Sequence, residues 1–292
     1  MKKRANKQIQ IGGQALIEGV LIRAGNIIAV AAHKPNKKIV VKCWKHVPWI
    51  QKGIFKFPLL RGFAVLIETL FIGLKALNWS ADQQLDKSEK IGTTSLVITL
   101  LTSLAFTIGL FVVVPFYLSK AFIATRGIVF NLVDGLFRAA IFVGYVFALG
   151  FFPNIKRVFQ YHGAEHKAIA CYEAGYKTTA INAKIIKKFS KEHPRCGTSF
   201  VALVLLLSIV VFSVIKAQAA FLNIATRIIL LPVIAGLSYE LLKISAQRID
   251  MPLMKAFAAP GMWIQKITTK EPDLQQRKVA IVALKSALSK LK

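Results

Sequence analysis

Four long apolar segments constrain this chain more than any other feature of its sequence. They cover residues 93–118, 128–152, 198–215 and 219–239, and the first of them carries no charged side chain. A helix of about 20 apolar residues crosses the ~30 Å hydrocarbon core of a bilayer. With 55% hydrophobic and only 18% charged residues, the composition excludes a disordered chain or a coiled coil and disfavours a soluble nucleic-acid binder. The sequence therefore predicts an α-helical integral membrane protein whose four transmembrane helices form two hairpins.

The basic residues indicate how these helices are oriented. Of 40 Lys and Arg residues, 16 lie in residues 1–92, nine in 153–197 and ten in 240–292, whereas the two hairpin loops hold three. Basic loops stay on the cytoplasmic side of a membrane. We therefore expect a multi-pass plasma-membrane protein with both termini and the 153–197 loop in the cytoplasm. Its basic start leads into no apolar run, so no cleavable signal peptide is predicted.

The chain divides into six regions on this pattern. They are an N-terminal cytoplasmic β-rich region (1–57), an interfacial amphipathic helix with a linker (58–92), transmembrane helices 1 and 2 (93–152), a cytoplasmic loop with a histidine cluster (153–197), transmembrane helices 3 and 4 (198–239), and a cytoplasmic C-terminal region with a basic amphipathic helix (240–292). The interfacial helix is predicted because Arg61, Glu68 and Lys75 recur every seven residues. Such a narrow charged stripe favours a helix at the membrane interface, or against the protein's own membrane part, over a fifth span.

Short sequence signals predict local structure at both ends of the chain. Ile- and Val-rich stretches on either side of Pro35-Asn36 indicate two strands joined by a turn. Gly12-Gly13 is expected to form another turn upstream. Pro272-Asp273 is expected to open the C-terminal helix, whose leucines and isoleucine share one face while Lys and Arg occupy the rest.

The central loop carries residue types that bind metals. His162, Glu165 and His166 form the pattern H-x-x-E-H of the inverted zincins. On a helix the two histidines lie one turn apart on one face, so both imidazoles reach one ion. Glu165 beside them is the expected base for a water molecule that Zn²⁺ activates. The alternative is a histidine cluster that only hydrogen-bonds loop backbone, and spacing alone does not decide between the two.

A catalytic zinc commonly needs three protein ligands and one open position. The candidates for the third ligand are His193, Cys196, Glu173 and Glu240. Inverted zincins take a glutamate well downstream, which favours Glu240 at the predicted cytoplasmic end of the fourth transmembrane helix. His193 and Cys196 together would instead close the site as a structural Cys/His₃ centre. The sequence does not choose between them.

Three charged residues fall inside predicted transmembrane helices. Asp134 and Arg138 are four residues apart on the second helix, and Arg227 lies on the fourth at a similar depth. Charges inside a bilayer are costly and face the bundle interior or a cavity. Because the acid offsets one of the two bases, an ion pair between helices is favoured over a transport pathway.

Several strings together are typical of one protein family. They are IGGQALIEGV (11–20), PLLRG (58–62), YHGAEHK (161–167), HPRCGTSF (193–200), LLPVIAGLSYE (230–240) and PGMWIQKITTKEP (260–272). Over nearly its whole length the chain resembles the bacterial DUF1385 family, membrane proteins of unknown function that are sometimes described as predicted metal-dependent enzymes. It departs from the family at Leu21-Ile22, where two methionines are frequent, and at Lys270, where arginine is usual. The resemblance implies a bacterial membrane protein with a metal site in the YHGAEHK segment.

Three functions are compatible with these features. The first is a zinc-dependent membrane enzyme, specifically a hydrolase, with its site at the cytoplasmic face. The second is a non-enzymatic membrane protein that docks a polyanionic partner such as the ribosome or translocon, because the cytoplasmic parts hold 35 basic and 12 acidic residues, a net charge of +23. Attraction to anionic lipids explains that charge as well. The third is a small transporter, which would need an oligomer because four spans are few.

Overall fold

A meander of four short strands begins the described part of the chain, and helices make up nearly all the rest. The computed structural model describes residues 9–51, 57, 60–85, 92–124, 127–214, 219–248 and 251–291. The strands are β1 (Ile11–Leu16), β2 (Gly19–Ala24), β3 (Ile27–His33) and β4 (Ile39–Lys45), followed by a 3-10 turn at Trp49–Gln51. The helices are α1 (Leu60–Asp82), α2 (Thr93–Ile108), α3 (Val114–Phe122), α4 (Ile128–Leu149), α5 (Pro153–Glu173), α6 (Ala183–Ile186), α7 (Gly197–Ser213), α8 (Ala220–Gln247), α9 (Pro252–Thr268) and α10 (Leu274–Ser289), with a π-helical turn at Gly109–Val113 joining α2 to α3.

The four strands form an antiparallel sheet in sequence order, which confirms the small N-terminal β structure. The turn at Pro35-Asn36 joins β3 to β4 as predicted. The turn expected at Gly12-Gly13 is wrong, because both glycines lie inside β1 and pair with Arg23 and Ile22 of β2. A glycine pair is permissive in backbone angle and is found wherever another group must approach the chain closely. At Gly13 the side chain of Glu165 makes this close approach.

Helices cover both faces of this sheet. On one face, alternate residues of β2 such as Val20 and Ile22 join a hydrophobic core with Ala164 of α5 and Leu284 of α10. On the other face, Leu21 packs in a smaller cluster with residues of α1. The N-terminal strands, the central helix α5 and the C-terminal helix α10 therefore share one hydrophobic core, although more than 100 residues separate each of the three in sequence.

In the described part of the chain, four helices are long and apolar enough to cross a membrane, as in a multi-pass membrane protein. They cover Arg61–Asp82, Val97–Phe122, Ile128–Leu149 and Ala220–Ser245. Three of them fall in predicted spans, but the set differs from the prediction in two helices. The 17-residue α7 is apolar yet just shorter than the others, and α1 qualifies in its place.

The charged stripe of α1 faces the rest of the protein. Arg61 binds Glu240 of α8, Glu68 binds Arg23 of β2, and the ammonium of Lys75 lies 5.3 Å from the centre of the Trp44 ring of β4. Exposed side chains on other sides of the helix include Phe63, Leu70 and Phe71. The stripe thus holds α1 against the sheet and α8 and leaves part of its apolar surface outward.

The C-terminal region holds two helices where the sequence predicts one. α9 packs along α7 so closely that a Cβ atom on Gly261 would lie 2.4 Å from the Cα atom of Ser199. α10 begins at Asp273, whose carboxylate accepts a hydrogen bond from the backbone N–H of Gln276 while the Gln276 side chain accepts one from the Asp273 N–H. This reciprocal cap confirms the helix start predicted at Pro272-Asp273.

Candidate metal centre

Helix α5 places three of the predicted site residues side by side. His162 and His166 are one turn apart, and their ring centroids are 4.4 Å apart. Glu165, between them in sequence, is 3% exposed, and its Oε2 atom lies 3.4 Å from Nε2 of His166. The structure therefore brings the two histidines of the H-x-x-E-H pattern together on a helix.

Backbone carbonyls fix the orientation of both imidazole rings. Nδ1 of His162 donates to the carbonyl of Thr268 at 3.0 Å, and Nδ1 of His166 donates to the carbonyl of Lys191 at 2.5 Å. A carbonyl only accepts, so the proton of each neutral ring is on Nδ1 and Nε2 keeps its lone pair. Histidines that bind metals show this arrangement, because the second hydrogen bond sets tautomer and ring direction.

Cys196 completes a group of three donor atoms. Its Sγ atom lies 3.2 Å from Nε2 of His162, and one ligand atom from each of His162, His166 and Cys196 lies within 4.8 Å of the others. Burial raises the pKa of the Cys196 thiol and lowers the pKa of His166 well below its ordinary value. Both effects oppose charge on these two side chains when no cation is present. Two nitrogens and a sulfur at this separation are a donor set that zinc accepts.

Glu165 has an environment unlike that of a surface carboxylate. Burial raises its pKa to about 8, and the neighbouring His162 opposes that rise. The close approach explains the glycine at position 13 of β1, since a Cβ atom on Gly13 would lie 2.3 Å from Oε1 of Glu165. A buried carboxyl group beside free imidazole nitrogens can take up or release a proton near neutral pH.

His193 and Glu173 lie beside this group but are bound to each other. Nε2 of His193 is 3.0 Å from Oε2 of Glu173, and its Nδ1 accepts from the backbone N–H of Arg195 at 3.3 Å. Both nitrogens of His193 are therefore engaged. Burial lowers its pKa to about 4, so the ring is neutral at pH 7. This arrangement does not fit a closed Cys/His₃ centre that includes His193.

Glu240, the downstream glutamate favoured from the sequence, is not part of the group. Its two carboxylate oxygens accept hydrogen bonds of 3.0 and 2.5 Å from the guanidinium of Arg61. Both partners are on membrane-type helices, α1 and α8. Glu240 thus joins two helices, and Cys196 is the residue that lies with the two histidines.

Comparisons with known proteins fit this description. A family model described as "Protein of unknown function (DUF1385)" matches residues 57–290. The chain belongs to the DUF1385 family. "Uncharacterized protein YqhQ" of Bacillus subtilis (strain 168) is similar to it, with 34% identity over 299 residues that cover 95% of this chain and 92% of the relative. No solved structure matches the chain.

Sequence reasoning missed the residues that hold the site of this family member together. The side-chain amide of Gln265 binds both the N–H and the carbonyl of His193, at 2.7 and 3.0 Å. The ammonium of Lys167 donates to the carbonyls of Lys187 and Phe189 and so supports the segment that orients His166. Both residues fall in strings typical of the family, but nothing in their spacing shows which backbone they bind.

The three charges inside the helices meet as the spacing predicts. Oδ2 of Asp134 accepts a 2.8 Å hydrogen bond from Arg138 and another from Arg227 on α8. Arg227 also donates to Asn131 and Asn223, and all five side chains are buried. The group joins α4 to α8 and carries two positive charges for one negative charge.

Proposed function

We propose that this protein is a zinc-dependent hydrolase whose metal ligands are His162, His166 and Cys196. The observation that carries the proposal is the meeting of three donor atoms within 4.8 Å, with the Nδ1 proton of each imidazole bound by a backbone carbonyl. Three protein ligands leave the fourth position of tetrahedral zinc open, as catalytic zinc sites do.

The residues of the chain take distinct roles in this proposal. The carbonyls of Thr268 and Lys191 hold the two rings in the tautomer that presents Nε2. Zinc, when bound, lowers the pKa of a coordinated water to about 7 and polarises a carbonyl group of the substrate. Glu165 accepts a proton from the attacking water and later delivers it to the leaving group, as a general base and then a general acid. Gly13 leaves the space that Glu165 occupies.

Metal analysis of purified protein tests the proposal. Wild-type protein is expected to hold about one zinc ion per chain, as one set of three ligands requires. His162→Ala and Cys196→Ser each remove a ligand and are expected to weaken zinc binding about a hundredfold or more, since loss of an outer partner alone costs about 10–100-fold. Zinc titration of the apoprotein measures the affinities.

Glu240→Gln is the matched control, because Glu240 is the ligand that the sequence favours. It is expected to bind zinc like the wild type. Loss of zinc in Glu240→Gln with retention in Cys196→Ser would contradict the ligand set. A low metal content in the wild type that His162→Ala does not change would contradict the proposed metal site altogether.

We also propose that α2 with α3, α4, α7 and α8 are the four transmembrane helices, in two hairpins. The shared core of the sheet, α5 and α10 supports this assignment. Its three parts lie on one side of the membrane only if an even number of spans separates each from the next. If α1 were also a span, an odd number of spans would separate the sheet from α5. If α9 were also a span, an odd number would separate α5 from α10. The 17 residues of α7 extend roughly 25 Å, at the short end of what a bilayer requires.

In this arrangement α1 lies at the membrane interface and the site faces the cytoplasm. Ile72 and Ala76 of α1 pack on the sheet, and its buried Glu68 binds Arg23. A spanning α1 would carry that ion pair and one sheet face to membrane depth, at a large cost. The basic residues around the shared core then favour the cytoplasmic side of the plasma membrane for that core.

Cysteine labelling in intact cells tests the orientation. Ala124→Cys, at an exposed position after α3, is expected to react with a membrane-impermeant maleimide. Ala180→Cys, at an exposed position after α5, is expected to react only after permeabilisation. The native Cys171 and Cys196 are buried, and the half-buried Cys43 is replaced by Ser in both variants so that it gives no signal. Labelling of Ala180→Cys in intact cells would put the candidate metal centre outside the cell.

The docking and transport hypotheses stay predictions of the sequence. The apolar face of α10 packs in the shared core, and basic side chains such as Lys278 and Lys290 are among those that remain exposed to a polyanion. Salt-sensitive binding to ribosomes would distinguish that function from hydrolysis, because phosphate contacts release counterions.

A further inference from the structure

A cavity of about 450 Å³ opens beside the candidate metal centre. His162, Glu165 and His166 of α5 line it, and the loop from Arg195 to Thr198 lines it as well. Strand β1 contributes the stretch from Ile11 to Ala15. β1 is an edge strand of the sheet, and among the residues that the structure describes it pairs with β2 alone. One side of this cavity is therefore the edge of a sheet.

The pairing register shows which backbone groups of β1 point outward at that edge, away from β2. A two-residue turn joins Leu16 to Gly19, so this pair and every second pair along the hairpin exchange hydrogen bonds with β2. The N–H and carbonyl groups of Gly13 and Ala15 then point away from β2. In the residues that the structure describes, no other backbone group pairs with them. An edge of this kind is a template for another strand.

The glycines bring this edge close to the proposed base. Gly12 and Gly13 are exposed, and no heavy atom lies within 4 Å of a Cβ atom built on Gly12. Gly13 lies directly against the carboxyl group of Glu165. An extended chain paired with β1 would therefore pass Glu165 with no side chain from either glycine in its path.

A second cavity continues the first on an apolar surface. It measures about 530 Å³ and is lined mainly by Leu and Val side chains of α1, with Phe200 and Val201 of α7 and Leu242 of α8. Gln14, Thr69 and Gly197 line both cavities. Both volumes are in the range of ligand-binding sites. A molecule that occupies both is polar at the candidate metal centre and apolar beside α1.

We infer that β1 binds an extended polypeptide segment as an added strand, and that the apolar cavity holds the hydrophobic side chains of that segment. This inference rests on the proposed hydrolase, because it places an amide bond of the segment beside the candidate metal centre. Hydrolysis adds one water: its hydroxyl goes to the carbonyl carbon, the C–N bond breaks, and a proton goes to the leaving nitrogen. Backbone pairing supplies affinity, and alternate side chains supply selectivity. A lipid chain would fill the apolar cavity but leave the edge of β1 unused.

Peptide binding to the full-length protein in detergent tests the inference. The probe is a fluorescent heptapeptide, Gln-Leu-Val-Leu-Val-Leu-Gln, with blocked ends, and fluorescence anisotropy reports its affinity. Ala15→Pro removes one outward N–H and spares the bonds to β2, which an edge strand tolerates. We expect it to weaken binding about five- to tenfold, the equivalent of one hydrogen bond. Ala15→Val keeps the N–H and is expected to bind like the wild type.

A change in the peptide makes the test independent of folding. Methylation of alternate amide nitrogens of the probe removes hydrogen-bond donors from the peptide. It is expected to weaken binding to wild-type protein by at least as large a factor as Ala15→Pro does. Equal binding of methylated and plain peptide, or of Ala15→Pro and Ala15→Val, would overturn the inference. Binding of a fluorescent phosphatidylglycerol that Val201→Trp blocks and Ala15→Pro leaves unchanged, with no peptide binding, would assign the cavities to a lipid.

Metal analysis of the same samples separates this inference from the proposed function. His162→Ala is expected to lose zinc and still bind the peptide, because β1 remains intact. Zinc binding without peptide binding would overturn the added strand alone. Peptide binding in a protein that holds no zinc would leave the strand in place and overturn the hydrolase.

Discussion

Asp134→Asn is expected to destabilise the folded protein by about 3–5 kcal/mol, the cost of removing one partner from a buried ion group. In the wild type, Oδ2 of Asp134 accepts from both Arg138 and Arg227, which are 5% and 0% exposed. The amide keeps the shape but removes the negative charge between two guanidinium groups. Neither arginine can reach water without parting α4 from α8. Thermal unfolding in detergent, followed by circular dichroism, measures the loss.

Glu192→Gln is the control for loss of a carboxylate. Glu192 lies on the loop before α7, and its side chain accepts from Ser190. A substitution at this half-buried loop position, away from any buried ion group, is expected to change stability by about 0.5 kcal/mol or less. Equal effects of Asp134→Asn and Glu192→Gln would mean that the buried group contributes nothing to the joining of α4 and α8.

Gly163→Ala is expected to disturb both the fold and the candidate metal centre. A Cβ atom on Gly163 would lie 2.2 Å from the carbonyl oxygen of Lys270, which is backbone and cannot rotate away. The substitution favours an isolated helix by about 1 kcal/mol, but overpacking costs about 1–3 kcal/mol and commonly more when backbone must move. The segment that moves includes Thr268, whose carbonyl orients His162. We expect lower thermal stability and about 10–100-fold weaker zinc binding.

Gly12→Ala is the matched control, because a Cβ atom on Gly12 meets no heavy atom within 4 Å. Its stability and zinc affinity are expected to match those of the wild type. If Gly163→Ala loses stability and keeps zinc affinity, the Thr268 carbonyl has no part in orienting His162.

Local patterns in the sequence predict the structure well where a single element decides the outcome. The pair His162 and His166 meets because a helix repeats every 3.6 residues. The cap at Asp273 and the turn at Pro35-Asn36 likewise depend on a few neighbouring residues. Three of the four predicted spans coincide with helices of the described chain that are long and apolar enough to cross a membrane, whereas α1 qualifies by length and α7 does not.

The third member of the donor group could not be predicted, because it depends on how distant segments pack. Cys196 reaches His162 only because Gln265 of α9 holds the backbone of the intervening loop. Glu240 is far from the histidines because Arg61 of α1 binds it on α8. No local pattern reports either contact. The turn predicted at Gly12-Gly13 is wrong for the same reason, since the Glu165 carboxyl group that requires a glycine at position 13 comes from another element.

The position of α10 sets the order in which the protein can be completed. Val20 and Ile22 are made early by the ribosome, yet the core that covers them needs Leu284, eight residues from the end of the chain. Domains generally fold as units once their residues have been synthesised. The sheet must therefore wait, with one apolar face uncovered, while all the membrane helices are made and inserted. The pocket bounded by β1 and α5 therefore reaches its final form only after α10 has been made. Loss of the last turns of α10 by truncation would leave the long apolar helices intact and the core of the sheet, α5 and α10 unfinished.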